Sequence, residues 1–128
     1  MTTAEIGKKG ERIAATFLKQ NGYKILETNR HESHNEIDII AANREYIIFV
    51  EVKTRTVDSQ DLYLPYGSPA AAVHRGKQMR TVQAAKRYLL QGKGCGKQPR
   101  MDVIEVYLDK NKGSVLKINH IPDAFGAR

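Results

Sequence analysis

A chain of 128 residues has the length of one domain, so residues 1–128 are treated as a single unit. The formal charge of +7 and the isoelectric point near 9.6 favour polyanionic partners, nucleic acid above all. The single cysteine, Cys95, excludes an internal disulfide and a cysteine zinc site, and it fits a reducing cytoplasm. The apolar runs are of strand length and polar residues follow Met1, so we expect neither a membrane span nor a signal peptide.

The N-terminal segment has the pattern of a helix over residues 3–21. Thr2 and Glu5 form a capping box, and Gly22 is a suitable stop. Glu11 lies at the edge of the apolar stripe, where it is either a solvated glutamate or an acid that leans toward the rest of the fold. The stripe consists of Ile6, Gly10, Ile13, Ala14, Phe17 and Leu18.

Residues 23–30 read as a strand, and residues 35–54 read as a hairpin with charges among its apolar residues. Asp38 interrupts the run NEIDII. Glu51 and Lys53 interrupt IFVEVKTR and point to the same face of their strand, because side chains two apart share a face. Burying an unpaired charge is costly, so this face should hold either a mutual ion pair or a bound ion.

The parity of the hairpin loop decides whether Asp38 meets Glu51. The polar break between the strands is Asn43, Arg44 and Glu45. A two-residue loop of Arg44 and Glu45 places Asp38 across from Glu51 or Phe49, whereas an odd loop sends it to the other side. Even loops are common, so the sequence favours convergence of the two acids.

A long irregular segment, residues 55–68, precedes a second helix that should run from Ser68 to about Leu90, with Gly92 as its stop. Met79, Val82, Leu89 and Leu90 would form its apolar side. Four basic residues could follow a phosphate backbone, although an ordinary wet helix face has the same pattern. They are Arg55 beside the hairpin and Lys77, Arg80 and Arg87 on the helix.

The runs MDVIEVYL and SVLKINHI, separated by DKNKG, indicate a second hairpin. Asp102 on its first strand should have a structural partnership with Arg100 or with a basic helix. The four histidines do not have metal-binding spacing, so we expect them on the surface. They are His31, His34, His74 and His120.

Asp38, Glu51 and Lys53 suit the hydrolysis of a phosphodiester by a divalent metal, because such an ion supplies a nucleophile and neutralises charge on the phosphate. Mg²⁺ or Mn²⁺ would accept Asp38, Glu51 and the Val52 carbonyl as ligands. Lys53 would orient or deprotonate the attacking water or stabilise the phosphate charge. The competing interpretation is a structural ion pair between Glu51 and Lys53.

This order of residues resembles the core of the PD-(D/E)xK nuclease superfamily, and the chain as a whole resembles the YraN family of small bacterial proteins. The likeness covers the segments GKKGERIAATFLKQNGYKIL, NEIDII, FVEVKTR, RMDVIEV and INHIPDAF and the helix with Lys77 and Arg80. Where the family usually has glycine, this chain has Asn35, which tolerates the same left-handed backbone.

The resemblance implies an α/β fold of the restriction-endonuclease type, with a mixed β-sheet flanked by helices, similar to Holliday junction resolvases. It also implies that Glu11 assists metal binding, that DNA is the substrate, and that a homodimer is one option, since a resolvase needs two sites. Three interpretations stay open. They are a nuclease for DNA, including branched or damaged DNA, a nucleic-acid-binding module that does not cut, and a scaffold for an acidic protein.

Overall fold

The fold is a five-stranded sheet between two α-helices, in a computed structural model that describes residues 1–62, 75–94 and 96–126. The expected mixed α/β architecture is confirmed. The elements in chain order are α1 (Thr3–Gln20), β1 (Lys24–Glu32), β2 (Asn35–Ala42), β3 (Tyr46–Val57), a 3-10 turn (Ser59–Asp61), α2 (Arg75–Leu90), β4 (Gln98–Asp109) and β5 (Val115–Phe125).

The strands follow one another across the sheet in the order β1-β2-β3-β4-β5. Strands β3 and β4 are parallel, because the chain crosses over through α2 between them, and the other neighbours are antiparallel. Alternate residues of β3 enter opposite cores. Ile48 and Val50 pack with α1, and Ile47 and Phe49 pack with α2. The two helices therefore cover opposite faces of the sheet.

Helix α1 begins and ends as the sequence indicates. The Thr2 hydroxyl accepts from the Glu5 amide, and the Glu5 carboxylate accepts from the Thr2 amide. The chain leaves the helix at Gly22, which has a φ of +87°. Gly10 lies against β3 so closely that a Cβ at this position would overlap the side chain of Thr54. This contact seats the first half of α1 on the strand that carries Glu51.

The β2–β3 hairpin has the even loop that the sequence favoured. Ala42 pairs with Ile47, and the Asn43 amide donates to the Tyr46 carbonyl, so Arg44 and Glu45 are the two loop residues. At the other end of β2, the β1–β2 turn does not use Asn35 as its left-handed residue. That conformation belongs to Ser33, with a φ of +59°.

Strand β3 is longer than the sequence indicated. It continues to Val57 and pairs with β4 as far as Asp109, because the parallel partner supplies hydrogen bonds that the sequence alone does not reveal. Arg55 therefore lies on a strand instead of in an irregular segment. Ser68, the expected cap of the second helix, lies outside the described residues.

Helix α2 ends at Leu90 as expected, but its buried side differs from the expected one. Met79 is 43% exposed and Leu90 is 86% exposed, although both were assigned to the apolar side. The buried positions are Thr81, Val82, Ala84, Ala85 and Tyr88. Small residues face the sheet because α2 lies close to β2, and the longer apolar side chains extend past the contact.

Asp102 forms the structural partnership that was expected. Its carboxylate accepts Arg100 Nε and Nη2, both at 2.8 Å, and the Arg100 guanidinium also contacts the Tyr23 hydroxyl. His120 Nε2 lies 2.7 Å from the same carboxylate. The expectation of a surface position is wrong for His120, whose ring packs edge-on against two aromatic rings, those of Phe17 and Tyr23.

Neither α-helix in residues 1–62, 75–94 and 96–126 has the length and apolar character needed to cross a lipid bilayer. The cytoplasmic location stays a prediction.

Candidate active site

The predicted acids meet where strands β2 and β3 separate. The last regular pair of this ladder is Ile39 with Val50, and the next positions along the two strands are Asp38 and Glu51. Beyond this point the Asp38 side chain takes the place of a strand partner, since its Oδ2 accepts the Val52 amide at 2.8 Å. The register brings the two carboxyls to the same face, near enough that the charge of Glu51 raises the pKa of Asp38, so the expected convergence of Asp38 and Glu51 is confirmed.

The acid pair is poorly satisfied by the protein. Glu51 is only 8% exposed. Its Oε2 and the Oε1 of Glu11 are buried and have no hydrogen-bond partner within the described part of the chain. A buried carboxylate oxygen without a donor is costly, and it is a position that a cation or a donor of a ligand can fill.

The pKa values of the pair reflect this environment. Burial and the neighbouring charge of Glu51 together raise the pKa of Asp38 to about 7, while the Val52 amide opposes the rise. Burial also raises the pKa of Glu51, although the ammonium groups of Lys77 and Lys53 work in the opposite direction. Two adjacent carboxyls with raised pKa values are typical of a site that receives positive charge from a ligand.

Two lysines face the acid pair from different elements. Lys53 lies two residues after Glu51 on β3 and acts on it electrostatically. Lys77 on α2 places its Nζ 3.8 Å from Glu51 Oε2, which is an ion pair but is too long for a hydrogen bond. From the sequence, Lys77 was predicted only to contact phosphate. Its contact with Glu51 depends on how α2 docks, which a helical stripe does not reveal.

Glu11 lies on α1, near enough for its charge to raise the pKa of both Asp38 and Glu51. Across the described ranges, however, no three His, Cys, Asp or Glu side chains form a ready set of metal ligands. Glu11 therefore stands apart from the pair, and its metal role stays a prediction.

The Val52 carbonyl is a candidate ligand for a geometric reason. The N–H and C=O of one strand residue point toward the same side of the strand. Because the Val52 amide binds Asp38, the Val52 carbonyl also faces the opening between β2 and β3. Whether it binds a metal stays a prediction.

Arg55 belongs to a second charged group on the same face of the sheet. Its Nε donates to Glu105 Oε2 at 2.9 Å, and the Tyr107 hydroxyl donates to Glu105 Oε1 at 3.0 Å. Glu105 was not among the predicted site residues, although it interrupts the apolar run MDVIEVYL as Asp38 interrupts NEIDII. An acidic residue within an apolar strand pattern was therefore a signal that could have identified Glu105 on β4.

The remaining basic candidates lie on the outer part of α2. Arg80 and Arg87 are exposed, seven residues or roughly 10 Å apart along the helix. They lie on the side of α2 away from its buried positions. An exposed pair at this spacing suits contacts with phosphate, and a phosphate role for Arg80 and Arg87 stays a prediction.

Comparison with known proteins gives one consistent family. A family model described as uncharacterised protein family UPF0102 matches residues 10–106, a range that includes every candidate site residue named above. A UPF0102 protein of Caldanaerobacter subterraneus subsp. tengcongensis is 44% identical over 120 residues, which cover 94% of this chain and 93% of that protein. A UPF0102 protein of Chloroherpeton thalassium is 39% identical, with 97% of this chain and 95% of that protein covered. Another, from Alkaliphilus oremlandii, is 41% identical, with 94% and 97% covered.

Proposed function

We propose that this chain, which belongs to the uncharacterised protein family UPF0102, the YraN family that its motifs resemble, is a divalent-metal-dependent nuclease that cuts DNA. The main support for the proposal is the acid pair, half-buried Asp38 and buried Glu51, with Lys53 and Lys77 beside it. The net charge of +7 supports DNA as the substrate.

The acid pair is hard to explain as a stabilising feature. Its raised pKa values mean that the folded protein holds the two charges less favourably than water does. Lys77 offsets the cost of holding these two charges only in part, since its Nζ does not reach hydrogen-bonding distance of Glu51. A bound cation would relieve the repulsion that the fold leaves in place.

The donor atoms suit Mg²⁺ or Mn²⁺. The buried Glu51 Oε2 without a hydrogen-bond partner in the described ranges is the strongest indication, and Asp38 adds a second carboxylate. Mg²⁺ commonly takes one or two carboxylates and keeps several waters, so Asp38, Glu51 and the Val52 carbonyl would hold it, and Glu11 would assist from α1. When bound, the ion supplies an activated water and neutralises charge on the phosphate.

The basic residues then have distinct tasks. Lys53 orients the attacking water or stabilises the charge that develops on the phosphate oxygens. Lys77 holds the phosphate once a cation has taken over the charge of Glu51. Arg55, Arg80 and Arg87 hold the neighbouring backbone, which requires no particular base sequence.

Incubation with a panel of DNA substrates tests the proposal. Linear duplex, single-stranded and four-way-junction DNA are each mixed with the protein in Mg²⁺, Mn²⁺ or EDTA. We expect cleavage of at least one substrate with metal and none in EDTA. Asp38→Asn and Glu51→Gln should abolish cleavage and still bind DNA, and Lys53→Ala should slow cleavage roughly 100-fold.

Glu45→Gln is the matched control, because it neutralises a glutamate at the opposite end of the same hairpin. It should cleave like the unaltered protein. Metal-independent cleavage, or full activity in Asp38→Asn, would show that a contaminant or another site is responsible. No cleavage of any substrate by the unaltered protein would remove the nuclease proposal.

A DNA-binding module that does not cut is the second candidate, and the contact between Lys77 and Glu51 favours it. An ammonium group 3.8 Å from Glu51 supplies positive charge without any metal. Under this proposal DNA binding is salt-sensitive, falls in the double variant Lys77→Ala with Arg80→Ala, and is indifferent to EDTA. A gel shift over a range of salt concentrations, run beside the cleavage panel, separates the two functions.

A further inference from the structure

A buried glutamate on β4 holds the arginine that follows the proposed site. Glu105 is 2% exposed, and both of its oxygens are engaged, Oε2 with Arg55 Nε at 2.9 Å and Oε1 with the Tyr107 hydroxyl at 3.0 Å. On β5, the Lys117 ammonium lies 5.8 Å from the centre of the Tyr107 ring. The Arg55 side chain remains 27% exposed at the other end of this chain of contacts.

The register of the parallel strands puts this group beside the acid pair. Lys53 pairs with Glu105, and Arg55 pairs with Tyr107. Phe49 packs in the α2 core, so alternation directs Glu51, Lys53 and Arg55 to that same face. Val103 packs in the same core, which gives Glu105 that face as well. Arg55 is therefore two positions past Lys53, about 7 Å along one row of side chains.

Burial of Glu105 has a cost that points to a purpose. A buried carboxylate is tolerated when its partners are complete, and here those partners are a guanidinium and a phenol. A partly exposed arginine with one edge fixed by a carboxylate loses little conformational freedom when it binds an anion. An ordinary surface arginine would have to be ordered at each binding event.

We propose that Glu105, supported by Tyr107, is a positioning residue that fixes Arg55 for contact with a nucleic-acid phosphate adjacent to the one held at the acid pair. The inference rests on the proposed DNA substrate but not on cleavage. The spacing of Lys53 and Arg55 along one strand face is comparable with that of neighbouring phosphates in one nucleic-acid strand. Arg55 thus sets the register of the backbone, and Glu105 acts only through Arg55.

The test measures DNA affinity in EDTA, where no cleavage occurs, by fluorescence anisotropy with a labelled duplex. Arg55→Met should weaken binding roughly tenfold, and Glu105→Gln, which keeps the size of the side chain, about threefold. The double variant should bind no more weakly than Arg55→Met alone, because Glu105 has no other route to the DNA. Arg55→Lys keeps the charge but loses the fork, so it should also bind more weakly than the unaltered protein.

The sign of the Glu105→Gln effect separates positioning from charge alone. Removing a negative charge near the DNA would strengthen binding if only the overall field mattered. Glu27→Gln is the matched control, since Glu27 also pairs with an arginine, Arg30, at 2.9 Å but on β1. It should leave affinity unchanged. Equal or tighter binding by Glu105→Gln, or additive losses in the double variant, would overturn the inference.

If Glu105→Gln does not fold, as judged by its melting curve, Tyr107→Phe replaces it. This change removes one hydrogen bond to Glu105 and leaves the ring in place, and it should weaken binding about twofold, with unchanged affinity counting against the inference. The two proposals fail separately. Binding without cleavage overturns only the nuclease, whereas an absence of DNA binding by the unaltered protein overturns the role of Glu105 as well.

Discussion

Asp38 and Asp102 are aspartates within strands of the same sheet, and they differ in what surrounds the carboxylate. Asp102 is fully buried and accepts two hydrogen bonds from Arg100, one from the Asp123 amide and a close contact from His120. Asp38 accepts one backbone amide and faces a second carboxyl, that of Glu51. The pKa of Asp102 is lowered and that of Asp38 is raised.

Burial does not by itself distinguish a structural acid from a functional one. What differs is whether the protein supplies all the positive charge and all the donors that the carboxylate requires. At Asp102 the partners are complete, and the group stabilises the fold in its charged state. At Asp38 and Glu51 they are incomplete, so the site stays receptive to a cation at the expense of stability.

Neutralising Asp102 should produce the largest effect on the fold. Asp102→Asn leaves the half-buried Arg100 guanidinium without its anion, and we expect a loss of about 3–5 kcal/mol in the free energy of unfolding. Denaturant titration measures this. Asp58→Asn is the matched control, because Asp58 pairs with Lys110 at 2.8 Å on the surface, and it should change little. A small loss of stability in Asp102→Asn would mean that Asp102 and Asp38 do not differ in how completely the protein satisfies their carboxylates.

The pH dependence of stability should show both acids as opposite slopes. Burial alone would raise the pKa of Asp102, but hydrogen bonds from Arg100 and His120 lower it overall. The contribution of Asp102 to the free energy of unfolding is therefore present above about pH 4 and is lost as pH falls through the folded pKa. Burial and the charge of Glu51 raise the pKa of Asp38 to about 7, so stability should decrease as pH rises from about 4 toward about 7.

Thermal unfolding in EDTA should therefore give maximum stability between about pH 4 and about pH 5, with a loss on the order of 2 kcal/mol by about pH 8. Asp38→Asn should flatten the upper slope and leave the acid slope in place. A profile that rises steadily through neutrality in the unaltered protein would contradict the raised pKa of Asp38.

Neutralising Asp38 should stabilise the protein at pH values above its pKa. Asp38→Asn removes the repulsion with Glu51 and keeps an acceptor for the Val52 amide. We expect a gain of about 1–2 kcal/mol in the free energy of unfolding near pH 8, with loss of the cleavage described above. Glu45→Gln should have no such effect. Destabilisation by Asp38→Asn would indicate a structural ion cluster, and Asp38 would then have a structural role like that of Asp102.

Replacing Lys77 should leave the acid pair with less positive charge from the protein and so make it more receptive to a cation. Lys77→Met removes the ammonium 3.8 Å from Glu51, so a divalent cation no longer competes with it. We expect Mn²⁺ to bind about three- to tenfold more tightly by calorimetry without DNA. Lys86→Met, at an exposed position of the same helix, should leave Mn²⁺ affinity unchanged. Weaker Mn²⁺ binding in Lys77→Met would count against a cation site at Glu51.

The sequence was most informative where local rules apply. The capping box at Thr2, the two-residue loop at Arg44 and Glu45, and the convergence of Asp38 with Glu51 all depend on short-range geometry.

Features that depend on how elements dock were not accessible from the sequence. The contact of Lys77 with Glu51 and the exposure of Met79 follow from the position of α2 on the sheet. Likewise, pairing of Lys53 with Glu105 requires the parallel register of β3 and β4, which no local pattern encodes. The packing of the His120 ring against Phe17 also depends on docking, because α1 is distant in sequence from β5.

The two-residue turn of the β2–β3 hairpin has a consequence for the order of folding. Asp38 and Glu51 are close in sequence, whereas β3 meets β4 through pairs as distant as Tyr46 with Gln98, and short loops close at a lower entropic cost. The acids therefore come together before α2 brings Lys77 to them, and their repulsion opposes the earliest long-lived contact. Asp38→Asn should consequently accelerate refolding more than it slows unfolding, which stopped-flow measurement of both rates would reveal.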